Sequence, residues 1–423
     1  MPRKVSLMKR SAVLVLLVFG VLLGSAWAQT ESVLYSFPNG YEPNGGLVFD
    51  QKGNLYGTTW FGGDDNNGVV YKLTPEGKET ILYAFCPKGE PCSDGEYPLA
   101  SLVLDRNENL YGTASAGGRR KCFDGDYACG VVFKLTPKGK ETVLYRFCAQ
   151  DSCADGRYPT AGVVMDQKGN LYGTTSYGGA TKECPDSYTG CGVVFKLSPK
   201  GKETILYHFC EQYNCTDGWY PISGVILDQK GNLYGTTILG GAHGQGTVFK
   251  VTPEGKETVL YSFCAQGGDQ CTDGAMPFAW PVLDQKGNLY GATRYGGAGN
   301  SCGDPSGCGV VFKLTPKGKQ TVLHSFCAQQ NCADGGEPNG LVLCPKGILY
   351  GTTSYGGEYG YGTVFKLTPK RKETVLYSFC AQDNCTDGSY PEIGLISDRT
   401  GNLYGTTEYG GAYRGGVVFK LTP

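Results

Sequence analysis

The chain predicts an all-β fold, a seven-bladed β-propeller with four antiparallel strands per blade, on three observations. A Leu-Tyr-Gly core returns seven times, at Leu55, Leu110, Leu171, Leu233, Leu289, Leu349 and Leu403, with spacings of 55, 61, 62, 56, 60 and 54 residues. Each return sits among four short strand-like segments separated by turn chemistry. The repeat is also out of phase with the chain. A fourth-strand sequence, Glu31 to Phe37, precedes the first complete unit, and a third-strand sequence runs up to Thr422-Pro423.

The third unit shows the grammar. Val163-Val164-Met165 is a short apolar run and Asp166-Gln167-Lys168-Gly169 a turn whose glycine suits positive φ. Asn170 to Thr175 is a second strand and Gly192 to Leu197 a third. Ser198-Pro199-Lys200-Gly201 is another turn, and Glu203 to Phe209 a fourth strand rich in β-branched and aromatic residues. No segment has a helical period long enough to compete. The apolar gradient orders the strands: the Leu-Val-Leu type strand is innermost (A), then B and C, with Glu-Thr-Val-Leu-Tyr-Ser-Phe outermost (D). The orphan D strand at Glu31 to Phe37 is expected to complete the last blade and close the ring, which removes an exposed sheet edge. A linear solenoid of the same repeats is the alternative.

Residues 29–423 therefore read as one propeller domain with repeats beginning near 31, 79, 141, 203, 257, 320 and 373. Residues 1–28 read as a signal peptide: Arg3, Lys4, Lys9 and Arg10 precede the apolar run Ala12 to Leu23, and cleavage is expected after Ala28. The run is too short to span a bilayer, which needs about 20 apolar residues. Loss of those four basic residues leaves 34 Lys plus Arg against 39 Asp plus Glu, a net charge of about −5. An acidic chain argues against nucleic acid and anionic membrane as partners.

The strings Gly-Asn-Leu-Tyr-Gly-Thr-Thr (Gly53 to Thr59), Tyr-Gly-Gly, Gly-Val-Val-Phe-Lys-Leu-Thr-Pro and Lys-Glu-Thr-Val-Leu-Tyr-Ser-Phe resemble the GloVer tandem repeat of secreted bacterial proteins, across essentially all of residues 31–423. The A-to-B segment is also similar, more weakly, to NHL-type propeller blades. The resemblance implies an extracytoplasmic location but no activity, substrate or catalytic residues. Members often end in a sorting or anchoring signal; here the sequence ends at Pro423 with none, so a released protein is expected.

Nineteen cysteines follow the repeats. After strand D come Cys86/Cys92, Cys148/Cys153, Cys210/Cys215, Cys264/Cys271, Cys327/Cys332 and Cys380/Cys385; between strands B and C come Cys122/Cys129, Cys184/Cys191 and Cys302/Cys308. Short loops such as Ala242 to Gln245 carry neither partner. Both cysteines or none, loop by loop, predicts intraloop disulfides and an oxidising compartment. Zinc ligation is the alternative. Cys344, at a position occupied elsewhere by Asp, is left as a free, partly buried thiol.

All nine bridges should lie on the face where D–A and B–C connections emerge, which makes that looped face the expected binding surface. Residues present in every blade read as scaffold, including the Asp-Gly after each second cysteine, an Asx turn rather than a calcium site. The blades differ after Gly-Thr-Thr (Trp60, Ser115, Ser176, Ile238, Arg294, Ser354, Glu408) and after the proline preceding strand A (Asn44, Leu99, Thr160, Ile222, Phe278, Asn339, Glu392). From these and neighbouring loop positions, Trp60, Arg157, Trp219, His243, Arg294, Glu392 and Glu408 are the candidate ligand-binding residues. No catalytic motif is evident, and no metal or cofactor is expected. The expected role is a monomeric, secreted binding scaffold for an extracellular glycan or protein. Two alternatives stay open: a polysaccharide-active hydrolase or lyase using Glu392 and Glu408, and a multivalent lectin with a site at each blade junction.

Overall fold

A computed structural model of the chain describes residues 30–423 except 88, 90, 120–121, 123–128, 181–183, 186–189 and 299–306. The expected signal peptide lies outside the described residues, as does Cys302. Within them the chain forms seven four-stranded sheets, each antiparallel in the order A-B-C-D. In blade 3 these are Val164–Met165, Leu171–Thr175, Val193–Leu197 and Glu203–His208. Blade 7 is closed as the phase of the repeat requires: Thr30–Ser36 pairs with Val417–Thr422, outside Leu403–Thr407 and Ile396–Ser397. No helix among the described residues is long and apolar enough to cross a membrane.

The core lies between blades. Each of seven apolar clusters joins one blade to the next, for example Val132 and Phe147 of blade 2 with Val163, Leu171 and Phe195 of blade 3. At six junctions two phenylalanines meet edge to face, as Phe147 and Phe195 do at 5.1 Å between centroids, a geometry that aligns ring edges with π faces. The closing junction uses Phe37 and Tyr71 instead, at 4.9 Å. These rings explain the invariant glycine of Leu-Tyr-Gly. A Cβ on Gly173 would lie 2.8 Å from Cζ of Phe195, so the strand B backbone must come that close to the ring.

Two further repeated devices shape the blade. Strands C and D slip register once in every blade, between Val194 and Phe195 in blade 3, and the bulge adds the twist that carries strand D across the outside. At the opposite end of the ring from the cysteines, Asp50 closes the A–B turn: Oδ1 accepts from the amides of Lys52 and Asn54, and Oδ2 from Asn54 Nδ2 and Tyr56 Oη, at 2.6–3.1 Å. Burial works against ionisation there, but those donors hold the carboxyl below its ordinary range. Blade 6 lacks the device because Cys344 and Ile348 replace the Asp and Asn. Its inner strand runs from Gly336 to Cys344 and ends in a short 3₁₀ turn, Pro345–Gly347.

Eight disulfides link the expected partners at Cys86–Cys92, Cys122–Cys129, Cys148–Cys153, Cys184–Cys191, Cys210–Cys215, Cys264–Cys271, Cys327–Cys332 and Cys380–Cys385. Cys308 is also disulfide-bonded. Cys344 is a half-buried free thiol beside Ser397 Oγ at 3.7 Å. The recurring Asp of Asp-Gly organises each cysteine loop. Asp217, fully buried, accepts from Tyr207 Oη at 2.6 Å and from the amides of Glu211 and Gln212 at 2.9 and 3.3 Å. Where long B–C loops exist, their bridge sits against the D–A bridge: sulfurs of Cys191, Cys210 and Cys215 lie within 4.8 Å of one another. All three are committed to disulfides.

Candidate functional site

The looped face converges on the ring axis through one recurring connection. In each blade the residue before the proline has left-handed backbone: Glu42, Tyr97, Tyr158, Tyr220, Met276, Glu337 and Tyr390, with φ between 51° and 61°. The following proline disfavours the right-handed helical region for that residue, and left-handed backbone costs a non-glycine residue about 1–3 kcal/mol. Two backbone bonds hold it. The Tyr158 amide donates to Cys129 O of the preceding blade at 3.0 Å, and its carbonyl accepts from the amide of Ser176 at 3.0 Å. The strain is thus carried by inter-blade stitching, which aims the residue after the proline at the axis.

That residue lines the central funnel in all seven blades: Asn44, Leu99, Thr160, Ile222, Phe278, Asn339 and Glu392. Trp60, Ile238 and Glu408, which follow strand B, complete the wall of a cavity of about 720 Å³. The floor is set by Trp280. Its indole occupies space that a side chain at position 224 would need: a Cβ on Gly224 would lie 2.4 Å from Trp280 Cζ2. On the far side Gly340 and Gly394 pack backbone to backbone, with a Cβ on Gly340 only 2.7 Å from Gly394 Cα.

One sector of the wall is acidic. Burial, then Glu408, pushes the Glu392 carboxyl up, against the pull of Arg294 and a hydrogen bond with Ser354. Burial and Glu408 likewise raise Glu42. Tyr409 is raised by burial and by its hydrogen bond to Glu408. The guanidinium of Arg294 is engaged by Glu337, with Nη2 and Nε at 2.8 and 2.9 Å from the same Oε2, and lies over the Phe278 ring at 5.4 Å. Burial works against the charge of Arg294, but Glu337 keeps it protonated. Ser354 Oγ also accepts from Asn339 Nδ2 at 2.7 Å. The buried Oδ1 of Asn44 has no partner among the described residues.

The candidates named from sequence separate into two groups. Trp60, Glu392 and Glu408 line the funnel. Arg294 braces its wall from behind. Arg157 is buried over the ring of Tyr177, which in turn lies between Tyr158 and Tyr220 at 5.9 and 4.8 Å, so it supports an aromatic sector rather than lining the cavity. Trp219 is half-buried, bridged to Leu239, and outside the lining; His243 is exposed in its B–C loop and also outside it. Sequence reasoning missed Trp280 and the pre-proline ring. Trp280 was legible as an outlier: three residues after the proline, blades 1, 3, 4 and 7 have Gly46, Gly162, Gly224 and Gly394, and blade 2 has Ser101.

Among solved structures, the chain is similar to a streptogramin B lyase, with 13% identity, a TM-score of 0.58 and coverage of 93% of this chain and 97% of that one. A gluconolactonase important in glucose secondary metabolic pathways, from Xanthomonas campestris, aligns at 13% identity and a TM-score of 0.43 over 77% of this chain and 86% of that one. At this identity the likeness to the lyase shows the fold alone. No curated protein matches the sequence. The Gloeobacter/Verrucomicrobia repeat matches residues 25–211, 121–326 and 300–423, so the chain belongs to that family.

Proposed function

We propose that this propeller is a binding protein that takes a polar, ring-bearing ligand of oligosaccharide size in its central funnel, and that it works outside the cytoplasm. One observation carries the reading: residues that break the sevenfold repetition converge on a single cavity. Its volume of about 720 Å³ falls inside the roughly 300–1,000 Å³ of small-molecule sites. Aromatic walls with a few polar groups suit a ligand that has both flat apolar faces and hydroxyls. One asymmetric site supports a single ligand per chain over seven equivalent lectin sites. Many short-range disulfides fit an oxidising environment.

A panel of oligosaccharides tested by calorimetry against the oxidised protein examines this. One ligand per chain, weakened by Trp60→Ala with an unchanged melting temperature, is the expected result. Binding of several ligands per chain, or binding indifferent to Trp60, would sink it. The hydrolytic alternative draws on the same geometry, since Glu392 is pushed up by burial beside Glu408, and a pair of carboxyls is the equipment of a glycoside hydrolase. Reducing-end release lost in Glu408→Gln would favour that alternative.

A further inference from the structure

The funnel is unbalanced in charge, and the imbalance specifies the ligand further. Among the described residues that line it, Glu392 and Glu408 are the only ones of charged type. The groups around them deepen the imbalance. Glu42 lies close enough to Glu408 to be raised by it, and Glu337 adds to the repulsion on Glu392. The one cation acting on this sector is Arg294, and its guanidinium is engaged by Glu337 at 2.8 Å. Four carboxyls therefore gather in this sector, and the guanidinium is engaged by one of them.

A carboxylate withdrawn from water without a counter-charge is costly, and a protein relieves that cost by taking up a proton or a cation. That cost shows at Glu392, whose carboxyl is pushed up by burial and by Glu408. The remaining wall is aliphatic, polar and aromatic; the Phe278 ring already carries the Arg294 guanidinium at 5.4 Å, and the indoles of Trp60 and Trp280 add aromatic surface of the kind that attracts cations and not anions. The aromatic lining and the carboxylates are separate features of the site, and both select the same sign. An anionic ligand would meet two carboxylates in a low-dielectric cavity with no lining cation to pair with, a repulsive element that discriminates as strongly as any attractive contact.

Resting on the reading of the funnel as a ligand site, we infer that it selects a positively charged ligand, an amine-bearing ring compound such as a deacetylated amino-sugar oligomer, whose ammonium is received by Glu392 and Glu408 while its ring lies against the aromatic wall. Acidic counterparts of the same size are repelled by that charge, and neutral ones forgo the ion pair and bind more weakly.

The test compares three probes of equal length by calorimetry at about pH 6, below the range where such amines lose their proton: a glucosamine oligomer, its N-acetylated form and a galacturonate oligomer. The glucosamine oligomer should bind roughly tenfold or more tighter than the N-acetylated one, because a hydrogen bond to a charged partner supplies at least that factor, and the galacturonate should not bind. Glu408→Gln and Glu392→Gln, which keep shape and remove charge, should bring the amine and its N-acetylated form to the same affinity. Equal or tighter binding of the N-acetylated or galacturonate probe, with the Trp60→Ala effect intact, overturns the charge inference and leaves the funnel as a ligand site. Failure of all three probes overturns both. The wild-type comparison stands even where a variant does not fold.

Discussion

Gln320 Nε2 donates to the backbone carbonyl of Asp273 at 3.0 Å, in a position where every other blade carries a glutamate. In five of those six blades the glutamate Oε1 is buried without a partner among the described residues: Glu31, Glu141, Glu203, Glu257 and Glu373. Burial, reinforced by the neighbouring loop aspartate, raises Glu257 from 4.5 to about 8 and Glu31, Glu141 and Glu203 to about 7. Glu373 also reaches about 7, through burial and Asp334 against the opposing pull of His324. A protonated carboxyl at this position offers the donor that Gln320 offers permanently.

The sign of the pH dependence follows. Unfolded, these carboxyls ionise near their ordinary value; folded, they keep their protons up to about 7 or 8. The folded state therefore binds more protons between those limits. The contribution of these carboxyls to stability is fully present below about 4.5 and is lost as pH rises through about 7 to 8. Glu257→Gln should raise unfolding stability by about 1 kcal/mol near pH 8 and change little near pH 5. Urea melts at both pH values check this, and an equal shift at both would contradict it.

Tyr71 is the one tyrosine in a place where the other six blades have phenylalanine: Phe133, Phe195, Phe249, Phe312, Phe365 and Phe419. It is fully buried, and its hydroxyl has no partner among the described residues. Tyr71→Phe should stabilise the fold by about 1 kcal/mol, since an unsatisfied buried hydroxyl is a penalty. A lower melting temperature for the variant would show that the hydroxyl is satisfied in solution.

Ring closure rests on a few residues. Phe37 is fully buried, its amide donates to Gly416 O at 2.9 Å, and its ring meets Tyr71. Phe37→Ala should cost about 3–5 kcal/mol. Deleting residues 30–37 should expose the edge of Val417–Thr422 and drive association, visible as larger species on gel filtration. A monomer of unchanged stability would mean that the ring holds without this closure.

Asp217→Ala should be more damaging than loss of the bridge beside it. The substitution strands the Tyr207 hydroxyl and two loop amides, at about 3–5 kcal/mol in total. Replacing Cys210 and Cys215 with serine removes the closure of a short loop, worth about 2 kcal/mol. Chemical denaturation of the two variants side by side should give that order, and the reverse order would make the disulfide the organiser of the loop.

Much of this was legible because the repeat is its own alignment. Seven copies of Leu-Tyr-Gly and the leading D strand gave blade number, strand order, closure and disulfide pairing. Position by position, they also gave the residues that depart from the pattern, and of the seven candidates named among them and their neighbours three, Trp60, Glu392 and Glu408, line the funnel. Arg157 and His243 read the same way in the sequence and went elsewhere, one over the ring of Tyr177 and the other into solvent. A linear string does not encode on which side of a wall a side chain finishes.

The sequence by itself determined the local and nearest-neighbour structure, since turns, bulges, capped loops and blade-to-blade phenylalanine pairs each depend on residues within one repeat or the next. Only the tertiary structure decided the site. Phe278, Glu392 and Trp60 lie far apart in the chain and face one cavity because closing seven blades brings every inner strand to a common axis. Charge that is neutral or repulsive along a chain becomes a wall only when the ring folds it there.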